Sequence, residues 1–477
     1  MNNKKVLKIV VVGTGLPSLN FIDEFLKKNK KIDVISPDFN YELDETNTSN
    51  KHLYKIFPLP TIKKKINKVK NYFVSNNLNV NKNCNILGSL EFGGLSNYWG
   101  LQIDKDVDDD LQHLSKKTSE SIKNYFYKLI TSSKFIGEFN LNSKQTYKND
   151  YKIPEKFERL IKKKDKNYIL NKSLLAYSTI KKKKKITLGE FNENKSKFVS
   201  SNFFNRNLKK KNIKFHNFYV EKIYNKNTNV ILVCKNKNQT KEITAKKVVL
   251  GCGTLITTKL ILDYLKINKE IKIKHHPRLL SAFLSRSKID SKMNFTPSLL
   301  QIKNKKKKDT YLADIRPGNK VITNAIIDLY KFLFPFKFLI NFFKSYLIFS
   351  NVLLDSRYSN LFMKINKNSV TEIYSKKKPT YIDLKKRNNK IFQFLLKNKI
   401  IFPFYKTSFP GIGAEYHYFG TVPMTSKSKT MSLNEKCQLK KNKNIYIIDG
   451  SVLDFKVNKY PLAVIIANAR RVGANIN

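Results

Sequence analysis

A chain of 477 residues with 41% apolar and 12% aromatic content is long enough for two domains and too apolar for general disorder. Its 92 Lys and Arg against 36 Asp and Glu give a formal charge of +56, which raises the question of a nucleic-acid partner. The lysine runs at 181–185, 209–211, 305–308 and 376–378 are scattered among Asn and Ile, the residues of AT-rich codons. The charge therefore reads as a compositional bias and no nucleic acid is expected; contact with an anionic membrane or polyanion is the alternative. Four cysteines (Cys84, Cys234, Cys252, Cys437) without a CxxC pair exclude a disulfide framework and argue against a metal site.

Residues 6–38, VLKIVVVGTGLPSLNFIDEFLKKNKKIDVISPD, read as strand, Gly turn, helix and strand. Gly13 permits the tight turn, and Gly15, next to Leu16, lets the backbone approach a pyrophosphate at the start of a helix predicted over residues 18–28. Ser18 stands where GxGxxG has its third Gly. The acid that binds ribose hydroxyls falls by counting at Ser36, with Asp38 two residues late. The apolar run before the turn is short and lacks a small-residue cleavage site, so it is expected to be a first strand and the protein cytoplasmic.

Farther on, LEFGGLSNYWG (90–100) sets Gly93, Gly94, Ser96 and Trp99 in one turn, where a close approach to a ligand needs residues without bulky side chains. Residues 107–194 carry amphipathic helical runs and no recognisable chemistry. Residues 212–262 read as a strand meander containing Val220, which ends in VVLGCG and enters a helix near Thr254, with Gly253 and Thr257 at its start. His275 and His276 are expected to be solvated or capping; His52, His113 and His216 have no clustered carboxylate or His at ligand spacing in the sequence and are assigned no role. Residues 326–354 form the most apolar stretch, and Lys331, Pro335, Lys337 and Lys344 prevent it from spanning a membrane. It reads as a buried helix and strand of the second domain, with an interfacial amphipathic element or hydrophobic substrate wall as the alternative. Residues 355–369 and 379–384 alternate as antiparallel strands. In the last stretch, EYHYFGTVPM holds His417, IYIID closes a strand on Asp449-Gly450, and Tyr460-Pro461 precedes a helix over residues 462–472.

This order of segments resembles the glucose-methanol-choline (GMC) oxidoreductases. His417, Gly420 and Thr421 match the family's H-x-x-G-T segment, Asp449-Gly450-Ser451 its D-G-S, and Gly93, Gly94, Ser96 and Trp99 its GG-x-S-x-x-W segment. Ala245, Lys246, Val248, Val249, Leu250, Gly253, Thr257 and Leu260 match the run that returns the chain to the flavin sheet, with Val220 beside the adenine. Pro461 falls on the family's Pro, which leaves Tyr460 where Asn or His is expected; Asn458 fills that role only with a rearranged loop. The resemblance implies an α/β fold (α+β overall). A Rossmann-like FAD domain with a parallel sheet would comprise residues 1–106, 195–273 and 411–477. A substrate domain with an antiparallel sheet and helices would comprise 107–194 and 274–410. It further implies non-covalent FAD and oxidation of a small-molecule alcohol, sugar or polyol by hydride transfer to flavin N5, with the electron acceptor open. A carbinol releases hydride only if its hydroxyl proton leaves too, which needs a base within hydrogen-bond reach; an imidazole suits, and His417 is the candidate. Two alternatives stand: a flavin-binding protein of the same descent without dehydrogenation, and a basic peripheral binding protein whose nucleotide fold is structural.

Overall fold

The computed structural model describes residues 6–37, 72–73, 76–97, 99–104, 107–130, 153–172, 174–176, 198–236, 238–289, 298–306, 310–318, 331–366, 369–376, 381–414, 417–426, 430–455 and 460–477. Strand β1 (Leu7–Val12) is apolar on both faces and its last four residues are buried, as a strand covered on both sides must be. It pairs in parallel with β2 (Ile32–Ile35) and β10 (Thr240–Leu250), and these pair with β7 (Ile213–His216) and β20 (Asn442–Ile447). With β19 (Gln438–Leu439) at one edge, the order is β19-β20-β10-β1-β2-β7, and β8 (Tyr219–Lys226) and β9 (Asn229–Lys235) leave β10 as an antiparallel meander. The chain goes to opposite sides of β1 for β2 and β10, so a crevice opens at the carboxyl ends of β1 and β10, where open α/β sheets bind ligands.

Helix α1 (Leu16–Leu26) starts and stops two residues before the predicted bounds, because Gly15 is already its cap and Pro17 fits the first turn. It packs against the C-terminal helix α9 (Leu462–Asn475). The contact is close: a Cβ on Gly473 would lie 2.5 Å from the Phe21 carbonyl oxygen. Arg470 of α9 donates to Asn20 (2.9 Å) and to Glu24, and Lys211 pairs with Asp23 at 3.0 Å. Charges this deeply buried persist only when paired in this way. Helix α3 (Lys116–Ile130), which follows the one-turn α2 (Asp108–Leu111), lies on the far side of α9. The α5 helix (Ser200–Asn207) also touches α1, while α6 (Thr254–Tyr264) continues from β10.

A second sheet is antiparallel throughout, in the order β18 (Ile401–Ser408), β12 (Arg278–Ser285), β15 (Leu347–Leu354), β14 (Tyr311–Pro317), β13 (Leu300–Asn304) and β5 (Tyr168–Asn171). Helix α8 (Tyr381–Lys397) covers it, and α4 (Glu155–Lys162) touches β5. A small sheet joins β11 (Ile271–Ile273), β16 (Leu361–Ile365), β17 (Thr371–Tyr374) and β3 (Leu78–Val80), and β4 (Gln102–Ile103) pairs with β6 (Leu174–Leu175).

Three sequence expectations are corrected. Residues 381–384 begin α8 and are not a strand: Leu384, Asn388, Ile391 and Leu395 recur at helical spacing and are buried, and this longer period overrides the alternation in a six-residue window. His275 and His276 are buried, not solvated; the His276 ring lies 5.1 Å from Phe419 and its Nδ1 is 3.1 Å from the Leu354 carbonyl oxygen. The helical turns at Lys331–Phe336 and α7 (Lys337–Phe343) precede the buried strand β15, yet α7 contains no buried residue.

Candidate functional site

Three turns converge over the carboxyl ends of the parallel strands, and short hydroxyl side chains tie them together. After β1, Gly13 turns with φ +100°, and a Cβ there would lie 2.5 Å from the Gly251 carbonyl oxygen, so β1 and β10 approach in a way that only glycine allows. Thr14 accepts from the Gly93 amide (3.0 Å) and bonds Ser36 at the end of β2 (3.0 Å). Ser96 accepts from the Leu16 amide at the head of α1 (3.1 Å), donates to the Gly93 carbonyl and bonds Ser200 (2.7 Å). Gly93 and Gly94 have φ of +85° and +52°. Ser18 does the work of a third glycine differently: its hydroxyl donates to the Gly251 carbonyl (3.0 Å) and so fastens α1 to the β10 turn.

On the other side, Asp449 ends β20 and stitches two turns. It accepts from the Gly253 amide (3.0 Å), Thr257 (2.5 Å), the Ser451 amide (3.0 Å) and the Ser451 hydroxyl (2.6 Å). Burial pushes its carboxyl above the usual range, and the bonds from Ser451, Thr257 and Gly253 oppose that rise. Beside it, burial and the charge of Asp449 push the Cys252 thiol up to about 12.

His417 is positioned by its own segment. Gly420, Val422 and Met424 donate to the carbonyls of Gly450 (3.1 Å), Ser451 (2.9 Å) and Val452 (2.9 Å), so residues 417–424 run along the turn after β20. Tyr418 fixes the flank: its hydroxyl donates to Gly413 (2.7 Å) and accepts from the Leu87 amide (2.9 Å), while its carbonyl accepts from Thr254 (2.5 Å).

One cavity joins these parts, with about 1330 Å³ of empty space including its open mouth. Gly13, Gly15, Ser36, Gly93, Gly94, Ser96, Trp99, Val220, Gly253, His417, Asp449, Gly450 and Pro461 all line it. Leu16, Ser18 and Thr257 stand one layer behind, holding the turns through the bonds given above. Asp38 and Asn458 lie outside the described residues. Tyr460 does not line the cavity: its ring stands edge-on to His417 at 6.3 Å, and its amide donates to Asp104 (2.7 Å). Its hydroxyl is buried against Asp314 and Arg316 without closing a bond of good geometry, and burial followed by the Asp314 charge raises its pKa well above the phenol range. Arg316 and Gln102 both donate to Asp314, at 2.6 and 3.2 Å.

Several lining residues carry no motif: Thr14, Tyr72, Asn76, Glu91, Cys252 and Tyr418. Glu91 and Tyr418 sit inside the LEFGG and EYHYFG strings, whose glycines and histidine are the only part that signals a site. No Lys or Arg is among the described residues lining the cavity, despite the charge of +56. An anionic ligand here would rest on backbone amides and the head of α1. That head has no side-chain cap, though Pro17 lacks an N–H and Ser96 occupies that of Leu16. Around Gly253, a Cβ would meet nothing within 4 Å, which leaves room for a flat ring system against the turn. The glycine turns, the uncapped head of α1 and the open face at Gly253 are the features an elongated ligand with a diphosphate and a flat ring would need.

No protein-family model matches the sequence, and no curated protein matches it. Among solved structures, pyridoxine 4-oxidase from Mesorbium loti is similar over 98% of this chain and 98% of its own, with a TM-score of 0.61 at 11% identity. At that identity the likeness is one of architecture: the chain shares the overall fold of that oxidase.

Proposed function

We propose that this protein is an FAD-dependent oxidoreductase that oxidises a small alcohol, sugar or polyol hydroxyl, with His417 as the base. The observation that carries the reading is the single cavity shared by the Gly13 turn, the Gly93–Gly94 turn, the Asp449–Gly450 turn and the His417 imidazole. Gly13, Gly15, Gly93 and Gly94 would admit the diphosphate, Val220 would pack beside the adenine, and Gly253, Gly450 and Pro461 would face the ring. When bound, FAD supplies the acceptor for the hydride. The chain itself would supply the proton path: the imidazole takes the substrate's hydroxyl proton, and Tyr418 and the backbone bonds to residues 450–452 hold the segment that carries it. Pyridoxine 4-oxidase, whose name denotes oxidation of an alcohol-bearing small molecule, supports the reaction class through its fold.

A second reading, a flavin-binding protein without dehydrogenase activity, is favoured by one observation: the Tyr460 hydroxyl is buried against Asp314 and Arg316 while its ring stands edge-on to His417. Anaerobic reduction of the bound flavin by a panel of alcohols, sugars and polyols separates the two. The enzyme reading expects bleaching by at least one compound, and loss of bleaching in His417→Ala with flavin still bound. Undiminished bleaching in that variant removes the base role, and no bleaching by any compound favours the second reading.

A further inference from the structure

Phe332, Phe334, Phe336, Phe338, Phe342 and Phe343 project from the helical turns at 331–343, and each is between 46% and 71% exposed. Six phenylalanines in thirteen residues, each about half exposed or more, exceed the scattered apolar residues of an ordinary surface. The charge on this element has one sign. Lys331, Lys337 and Lys344 punctuate it, and no acid occurs from 331 until Asp355. The Lys337 ammonium sits over the Phe334 ring, 5.7 Å from its centroid, so cation and aromatic surface are presented together.

The patch continues across the end of the antiparallel sheet. Strand β15 starts at Leu347, directly after the element, and Leu347 pairs with Leu284 of β12. Ser285 of β12 pairs in turn with Ile401 at the start of β18. The start of β18 is thus two strand spacings, about 10 Å, from the start of β15, and its Phe402 and Phe404 are exposed. Arg286 and Lys288, just past β12, and Lys406 on β18 are exposed too, and Arg286 covers the Phe402 ring at 5.2 Å. Residues 401–414 contain no acid.

We propose that this aromatic, cationic end of the antiparallel sheet docks the protein onto an anionic lipid surface, with the phenylalanine rings entering the headgroup boundary. No helix among the described residues is long and apolar enough to cross a membrane, and Pro335 interrupts the element, so it lies in the plane of the interface. Exposed rings rimmed by lysine match both parts of such a surface, its apolar depth and its negative charge. A second copy of this chain is a poor occupant, because it would oppose one lysine-rimmed patch with another and bring together two bodies of charge +56.

The test is flotation with vesicles of phosphatidylcholine alone and of phosphatidylcholine with phosphatidylglycerol. It compares the full chain with a triple variant (Phe334→Ser, Phe338→Ser, Phe342→Ser) and a charge variant (Lys337→Glu, Lys344→Glu), with unfolding midpoints to establish that each is folded. The wild type should float with the anionic vesicles, and the triple variant should bind them at least about tenfold more weakly. The charge variant should lose the preference for anionic over neutral vesicles. Three results would overturn the proposal: a wild type that stays in the soluble fraction, a triple variant that floats as well as the wild type, or self-association of the wild type by light scattering that the triple variant abolishes.

Discussion

Replacing Gly13 with Ala tests the crevice at its narrowest point, and Gly253→Ala is its matched control. Both positions need a left-handed backbone, at φ +100° and +89°, so each substitution carries strain of about 1–3 kcal/mol. Only Gly13 adds an overlap. Its Cβ would fall 2.5 Å from the Gly251 carbonyl oxygen and 2.8 Å from the Cys252 Cα, both backbone atoms of the adjacent turn. Forcing that contact adds about 1–3 kcal/mol of overpacking, for a total of about 2–6 kcal/mol against the roughly 5–15 kcal/mol that holds a domain together. At Gly253 the new methyl meets nothing and takes up cavity space. The expected split is that Gly13→Ala lowers the denaturant midpoint of the flavin-free protein more than Gly253→Ala does. Gly253→Ala in turn weakens FAD binding about tenfold or more, for a ligand clash of about 1.4 kcal/mol. Trp99 is the only tryptophan and lines the cavity, so its fluorescence follows both unfolding and flavin titration. Equal midpoints for Gly13→Ala and wild type, or a Gly253 variant less stable than the Gly13 variant, would refute the reasoning.

Asp314→Ala should destabilise the protein by about 1–3 kcal/mol, because it removes the fully buried carboxylate that accepts from Arg316 and Gln102; no measurable loss in denaturant unfolding would contradict this. Tyr460→Phe should leave stability within about 1 kcal/mol of wild type, since the lost hydroxyl closes no well-formed bond; if it slows flavin reduction all the same, the hydroxyl reaches substrate. All four thiols are raised above the usual range by burial, with Cys84 at about 11 and Cys234 and Cys252 at about 12. A raised thiol pKa keeps the protonated form at neutral pH, so at pH 8 Cys252 should alkylate more slowly than an ordinary cysteine, and its rate should still be climbing at pH 10. Rapid labelling of native Cys252 that levels off near pH 9 would refute the burial.

Where local chemistry and global packing agree, the sequence is readable. The β1 turn, the β10 turn and the β20 turn are each an apolar run ending in glycine, because strands buried on both faces and a close ligand approach leave few other choices. Their meeting in one cavity follows from strand order, which no single segment contains. Hydrogen-bond roles are less legible: nothing in the string shows that Asp449 spends both oxygens on its own turns or that Thr14 links Gly93 to Ser36. Tyr460 illustrates the limit. Its place in the chain matches a reacting position, yet its hydroxyl turns toward Asp314 and Arg316, residues of β14 that are distant in sequence. The stretch at 326–354 reads from its composition as a buried helix and strand or as an interfacial element; the strand is buried and the helix is not, because composition alone does not say which apolar face the fold leaves uncovered.

The most direct measurement is the absorbance spectrum of the purified protein, followed by release of any chromophore on denaturation. The account predicts a yellow protein with a flavin spectrum, from which denaturation frees one FAD per chain without a covalent link. A colourless protein whose Trp99 fluorescence does not change when FAD is added would contradict it.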